Sequence, residues 1–442
     1  MSYSQDYESR NIKIPYDDIP ISRRPSQSSR GGRSSGSTPK ISLSGFKLLV
    51  ALVSVLFIIN IGLIVALVYH MNSAIKKDVN INNITVDASD SVAVSVAAAS
   101  KAKWSSVCVA VGGSAKYEDD FYTSMYRSGA GIIFEVDEAK NVAYFVTCDH
   151  VVTGYENSVY VLLPSQLVSY KVEVVAQSSE YDLAVLKLAP TGGKKIENIL
   201  DSCTEVAIAD SALLAVGEPV IACGNPLSDG LKITTGTLSA INRLIGVKGA
   251  ENPSRVLQID APINPGNSGG GLFNAEGDFI GIVSAKLPTT TVDGQDFDVD
   301  GQAFSIPGNL VAGFARNAIK NDDNDSKTRP APSCFDLGAT FNHNVNGGRT
   351  PVLVNGKFID KYVVEVSYMA PASPSSGKFS SYTNDVILRF KYTSVYGTEK
   401  TVEMYNKYCF DDVKFDIKDG SIIYFECAGG KTVQIVADNF EA

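Results

Sequence analysis

The chain has 442 residues, 44% of them apolar and 20% charged, which is enough for two or three domains and a sizeable core. Its formal net charge is −9. That excludes the basic face a phosphate backbone requires, so no nucleic-acid partner is expected.

The charge is unevenly placed. Residues 1–47 carry eight Lys/Arg and four Asp/Glu, a net of +4, which leaves −13 for the rest. Residues 1–46 are rich in Ser, Arg, Gly and Pro with little apolar periodicity, and read as a disordered cytoplasmic tail. A transmembrane helix is expected over 47–69. Leu48–Tyr69 (LLVALVSVLFIINIGLIVALVY) holds no charge, and at about 1.5 Å per residue it spans a hydrocarbon core. A buried core helix would show a polar face. A signal peptide would be shorter and followed closely by a small-residue cleavage site. Arg23, Arg24, Arg30, Arg33, Lys40 and Lys47 precede the span. They place the N-terminus in the cytoplasm and the bulk of the chain outside it, although Lys76 and Lys77 weaken the bias. A stalk follows over 70–92, and Asp87–Lys103, small and Ala-rich, suits a helix leading into the next domain.

From Trp104 to about Ile306 short apolar or alternating runs recur between Gly, Asn and Asp turns, among them AYFVTC, DLAVLKL, PVIACG and FIGIVSAK. At least ten candidate strands with few helical windows predict an all-β barrel or sandwich, and the length suits two barrels. Val311–Lys320 reads as a closing helix, residues 321–333 as a polar linker, and 334–442 as a further strand-rich domain.

The seven cysteines show no C-x-x-C spacing, so a metal site is not expected from the sequence. Most sit in apolar runs as small core residues, and a disulfide such as Cys409–Cys427 stays open. The stretch Ile263–Phe273 (INPGNSGGGLF) surrounds Ser268 with small residues, and the apolar strands on either side argue against a linker. A serine nucleophile needs a base, and the base needs a group to hold its tautomer. Of three histidines, His70 lies at the membrane boundary and His343 beyond the linker, so only His150 falls within the β region. It follows an apolar strand. Asp182 opens another, where it could be a plain turn aspartate or a carboxylate drawn inward.

His150, Asp182 and Ser268 thus stand in the order His–Asp–Ser. The segments VTCDHVV, DLAVLKL, GNPLSDGLKITTGTLSAINR and APINPGNSGGGLF, with the later GQAFSIPGNLV, resemble the HtrA (DegP/DegS-like) serine proteases of the chymotrypsin-like clan, over roughly residues 93–320. The resemblance implies two six-stranded antiparallel β-barrels with the active site between them. It implies His150 as base, Asp182 as its orienter, Ser268 as nucleophile, and the amides of Gly266 and Ser268 as the oxyanion hole. No cofactor is implied. Gly271 stands where the family usually has proline, and the residues offer no physical account of it. Ser305 stands where alanine is common, and Cys148 and Asp149 fill variable positions before the base. A Cys148 nucleophile is disfavoured because it lies two residues from the base on the same strand end. Pro262, six before the serine, brings no carboxylate to the primary pocket, which suggests a small or medium apolar P1 residue.

In the last region, FDLGAT is similar to the carboxylate-binding loop of HtrA-type PDZ domains, so Leu337, Gly338 and Ala339 would present amides to a peptide C-terminus. A PDZ-like fold that binds nothing is the alternative. The family's habit of trimerising implies a homotrimer, with Tyr117–Arg127 as a candidate contact. The expectation is a membrane-anchored endopeptidase for misfolded or regulatory proteins. Its rivals are an inactive scaffold serving as a tethered peptide-binding or chaperone module, and a protease that matures only its own chain.

Overall fold

The computed structural model describes residues 91–112, 125–164, 168–245, 254–284, 290–292, 295–297, 302–322, 332–344, 349–354, 357–370, 373–379, 385–438 and 440–441. The expected tail, membrane span and stalk up to residue 90 lie outside these residues. So do His70, most of the linker and the greater part of Tyr117–Arg127. Among the described residues no helix is long and apolar enough to cross a membrane.

Helix α1 (Ser91–Trp104) leads into the first barrel, close to its expected bounds. Lys101 pairs with Asp278, and Ala98 and Ala102 are buried. The first barrel comprises β1 (Ser106–Val111), β2 (Arg127–Asp137), β3 (Val142–Thr147), β4 (Val159–Leu162), β5 (Ser169–Ser178) and β6 (Leu183–Leu188). They close antiparallel in the order β1-β2-β3-β6-β5-β4, with β4 returning to β1. Runs such as VAYFVT on β3 are buried at every position, because one face fills the barrel and the other meets its surroundings. Bulges in β2 and β5 bend the strands around the closure.

The second barrel comprises β7 (Pro219–Gly224), β8 (Lys232–Ile245), β9 (Ser254–Ile259), β10 (Gly271–Phe273), β11 (Phe279–Val283) and β14 (Ala303–Pro307), closed in the order β10-β11-β14-β9-β8-β7. A small hairpin, β12 (Thr290–Val292) and β13 (Gln295–Phe297), stands apart from it. Two closed six-stranded barrels are thus present, as the family resemblance implies and the strand pattern allows. One short helix, α2 (Asp149–Val152), follows β3, and another, α3 (Ile196–Ile199), follows β6. The closing helix α4 (Gly308–Asp322) exceeds its expected bounds at both ends. Its last residue, Asp322, accepts from Tyr144 Oη at 2.8 Å and from Lys187 Nζ at 2.7 Å, so a helix leaving the second barrel is pinned to the first.

The C-terminal part is strand-rich, as expected. Strands β16 (Ala339–His343), β19 (Val364–Met369), β20 (Val386–Thr393), β22 (Ile422–Cys427) and β23 (Thr432–Val436) form one sheet, with β21 (Glu399–Glu403) pairing β20. Two ribbons complete it, β15 (Cys334–Phe335) with β24 (Phe440–Glu441), and β17 (Arg349–Val354) with β18 (Lys357–Tyr362). Its own core is aromatic, with Phe390, Phe410 and Phe425 within 6 Å of one another between ring centroids. Phe415 leaves that core and joins the core of the barrels, where its ring meets Phe314 and Tyr181 edge-on. None of the seven cysteines is disulfide-bonded, so the pair Cys409–Cys427 is two buried thiols.

Candidate active site

His150 is presented by a strand end. Strand β3 is buried throughout, and Thr147 Oγ1 donates to the carbonyl of Ala130 on β2 at 2.7 Å, which fixes where β3 stops. The single turn of α2 follows. Val151 and Val152 are buried beneath it, and the His150 side chain is left about a quarter exposed.

Asp182 sits immediately before β6 at φ +53°. Asp and Asn are the non-glycine residues that best tolerate this left-handed conformation, so the backbone and the chemistry select the same residue type. Its carboxylate is almost wholly buried and gathers donors from two directions. The His150 backbone amide donates to Oδ1 at 3.0 Å, and the ring Nδ1 lies 2.9 Å from both oxygens. Ser284 Oγ donates to Oδ2 at 2.9 Å. With Asp182 accepting from Nδ1, the neutral imidazole carries its proton there, and Nε2 keeps its lone pair.

Ser268 lies in a loop bonded to one strand of each barrel. The Ser268 carbonyl accepts from Ala130 N at 2.9 Å, and Gly269 N donates to Val283 O at 2.8 Å. Ala130 and Val283 are thus shared anchors. Ala130 also receives Thr147, three residues before His150, and Val283 precedes the Ser284 that holds Asp182. The loop and the His150–Asp182 pair therefore rest on the same two strands. Gly266 has φ +101°, and a Cβ there would stand 2.2 Å from Asn225 O. Gly269, at φ +83°, packs as closely on Ala130 O and Thr147 Oγ1. These glycines let the loop sit closely against β2 and against the residue that follows β7.

Peptide geometry orients the amides. Leu227 N donates to Pro265 O at 2.9 Å, so the N–H of Gly266, antiparallel to that carbonyl across a trans peptide, points away from the Leu227 loop. Likewise Gly270 N donates to Asn267 O at 2.9 Å, which turns the Ser268 N–H away from Gly270.

Three contributors escape sequence reasoning. Ser284 follows an apolar strand and carries no motif of its own. Asn225, fully buried, donates from Nδ2 to Gly129 O at 3.2 Å and from its amide to Gly266 O at 3.2 Å, bridging the barrels beneath the serine loop. Arg127 bonds the His150 carbonyl and stacks over Tyr155 at 5.4 Å. Gly271 also gains an explanation. A Cβ on it would stand 2.4 Å from the ring of Phe273, a fully buried side chain, so the ring occupies the space a proline would need.

Cys148 is fully buried and its thiol donates to Val283 O at 3.6 Å. Burial, and then the charge of Asp182, push the thiol well above its ordinary range, so it is no nucleophile. Pro262 is exposed. Ser305, fully buried, donates to Ile282 O at 2.9 Å, which satisfies the hydroxyl that replaces alanine.

Leu337 is buried, Gly338 has φ +63°, and Ala339 opens β16. The Gly338 amide donates to Asp336 Oδ1 at 2.8 Å, so a carboxylate of the chain itself already occupies that donor. A cavity of about 290 Å³ adjoins this loop, lined by Leu337, Phe341, Lys414 and, from the first barrel's side, Glu180 and Tyr181. His343 stacks on Tyr362 at 4.1 Å between ring centroids and accepts from Lys407 N through Nε2, a structural role.

The trypsin-like peptidase domain family matches residues 129–282. The serine protease Do-like HtrA of Lactococcus lactis subsp. cremoris (strain MG1363) is 32% identical over 321 residues, covering 71% of this chain and 73% of that protein. Its counterpart in Lactococcus lactis subsp. lactis (strain IL1403) is 34% identical over 292 residues, 65% of this chain and 66% of that one. The Bacillus subtilis (strain 168) protein of the same name is 36% identical over 196 residues, 43% of this chain and 39% of its own length. A closed pair of β-barrels, a trypsin-like peptidase match across them and a relative followed over most of its length lead to one conclusion: the chain belongs to the HtrA family of serine endopeptidases.

Proposed function

We propose that this endopeptidase works through His150, Asp182 and Ser268. The observation that carries the reading is the carboxylate of Asp182, held by the amide and ring of His150 and by Ser284, on strands that also anchor the Ser268 loop. His150 Nε2 takes the Ser268 proton as Oγ attacks the peptide carbonyl, and returns it to the leaving amine. Asp182 stabilises the imidazolium. The amides of Gly266 and Ser268 stabilise the oxyanion, a contribution of about 3–4 kcal/mol for a donor of this kind. Water then hydrolyses the acyl-enzyme.

Within the same proposal, the apolar segment 48–69 anchors the chain and the basic residues before it keep the N-terminus cytoplasmic, so the protease faces outside. The substrates are misfolded or regulatory proteins, cut after small or medium apolar residues. The C-terminal sheet is a PDZ-like module in which a peptide C-terminus entering the Leu337–Ala339 loop displaces Asp336 from the Gly338 amide, and the assembly is a trimer.

A fluorophosphonate probe tests the central claim. The expected result is covalent labelling of the full chain that disappears in Ser268→Ala and falls by several orders of magnitude in His150→Ala. Equal labelling of the parent and Ser268→Ala would remove Ser268 as the nucleophile.

A further inference from the structure

A thiol lies against the proposed catalytic pair. One donor atom from each of Cys148, His150 and Asp182 falls within 4.8 Å of the other two, and all three side chains are buried or half-buried. The histidine Nδ1 is 2.9 Å from each carboxylate oxygen. Cys148 is reached from β3 and Asp182 from the start of β6, and these two strands pair side by side.

We propose that Cys148, His150 and Asp182 form a site for a soft divalent cation of the zinc type, and that the cation switches the endopeptidase off. The donor set chooses the ion. A thiolate, an imidazole and a carboxylate suit Zn²⁺ or Co²⁺, whereas Mg²⁺ and Ca²⁺ demand oxygen alone. The geometry is near what such an ion needs, because donors around a tetrahedral zinc stand about 3.3–3.8 Å apart, so the widest pair closes by about an ångström and the Nδ1–carboxylate pair, now at 2.9 Å, opens by about 0.4 Å. A water takes the fourth position, as in zinc sites with three protein ligands.

Protons balance simply. The thiol loses its proton to solvent and becomes the thiolate ligand. The neutral imidazole moves its proton from Nδ1 to Nε2, which frees the Nδ1 lone pair for the metal. That exchange explains why binding inhibits. An imidazole protonated on Nε2 has no lone pair facing Ser268, and the carboxylate that would stabilise its cation is bound to the ion. The inhibitory half rests on the triad reading, but the metal site itself does not.

The experiment uses the full chain, stripped of metal with a chelator. Cobalt chloride is titrated first. The expected result is a thiolate-to-cobalt charge-transfer band at one ion per chain that is absent in Cys148→Ala. Zinc chloride is then titrated during hydrolysis of unfolded casein, each variant being compared with its own zinc-free rate. Loss of one ligand costs no less than loss of a group that orients one, about 10–100-fold in affinity, so the half-inhibiting concentration rises at least that far in Cys148→Ala. Cys148→Ser, which keeps the volume and discards the soft ligand, is expected to lose the band and the zinc sensitivity in the same way, and it replaces the alanine variant where that one does not fold. No cobalt band in the parent, or equal zinc sensitivity in parent and variants, overturns the proposal. A cobalt band in a chain that hydrolyses nothing even without zinc upholds the metal site and removes the catalytic role given to the triad.

Discussion

Ser284 donates its hydroxyl to Asp182 Oδ2 at 2.9 Å, while the amide and ring of His150 approach the same carboxylate from the other side. The carboxylate is therefore clamped between two barrels, since Ser284 follows β11 of the second and Asp182 immediately precedes β6 of the first. A hydrogen bond to a charged group contributes about 1.5–3 kcal/mol. In Ser284→Ala the expected outcome is a fall of at least about tenfold in kcat with KM nearly unchanged, because the bond aims the base and does not touch substrate. Steady-state kinetics on a peptide substrate checks it. A change confined to KM would mean that Ser284 shapes the pocket instead.

Gly271 stands where the family carries proline, and the Phe273 ring explains why this chain differs. Proline at 271 overpacks a closed site, at a cost of about 1–3 kcal/mol. Gly271→Pro is expected to lower the thermal midpoint, Phe273→Val to lower it through the cavity it leaves, and the double change to lose less than the sum of the two because valine empties the ring's space. Calorimetry on the three variants measures it. A Gly271→Pro variant as stable as the parent would show that the ring moves aside freely.

How far these features can be read from residues depends on their range. The barrels are legible because each strand is a short apolar run closed by Gly, Asn or Asp, and that information is local. The Ser268 loop is legible because its glycines lie between apolar strands. Ser284 and Asn225 are not, since each acts on a partner about a hundred residues away through closure of the barrels. The Cys148 cluster is hidden for the same reason. Paired-cysteine spacing is a local pattern, while Cys148 and Asp182 meet only because β3 and β6 are neighbours. The turn at Gly338 is within reach of the sequence, because an aspartate two residues before an amide is a familiar local acceptor, and Asp336 takes that bond.

The protease and C-terminal parts are joined by a buried ion pair. Arg255 on β9 bonds Asp412, donates to Asn242 Oδ1 at 2.8 Å and lies over the Tyr408 ring at 5.4 Å. The Asp412 side chain is only 2% exposed. Removing one partner strands a buried charge, which costs about 3–5 kcal/mol, whereas replacing both with apolar residues is close to neutral. Asp412→Ala is expected to make the C-terminal part unfold and become protease-sensitive before the barrels do. Arg255→Met with Asp412→Leu is expected to restore most of the coupling. Urea unfolding followed by limited proteolysis distinguishes the cases, and an Asp412→Ala variant within about 0.5 kcal/mol of the parent would show that the pair is not what joins the two parts.

His343 makes the C-terminal part sensitive to acid. Burial of the ring, and then the neighbouring Lys407 charge, hold the imidazole below its ordinary value of 6.5. The native contacts need the neutral form, because Nε2 accepts from the Lys407 amide at 3.1 Å. Below 6.5 the unfolded chain takes up a proton that the folded one still refuses, so the unfolded state binds more protons and stability rises with pH in that window. The contribution is complete above 6.5 and is lost as pH falls from there through the lower folded value. Between about pH 7.5 and about pH 5.5 the thermal midpoint of the parent is expected to fall further than that of His343→Gln, which keeps an acceptor but does not titrate. Differential scanning calorimetry at several pH values measures both slopes, and equal slopes would show that the acid sensitivity resides in another group.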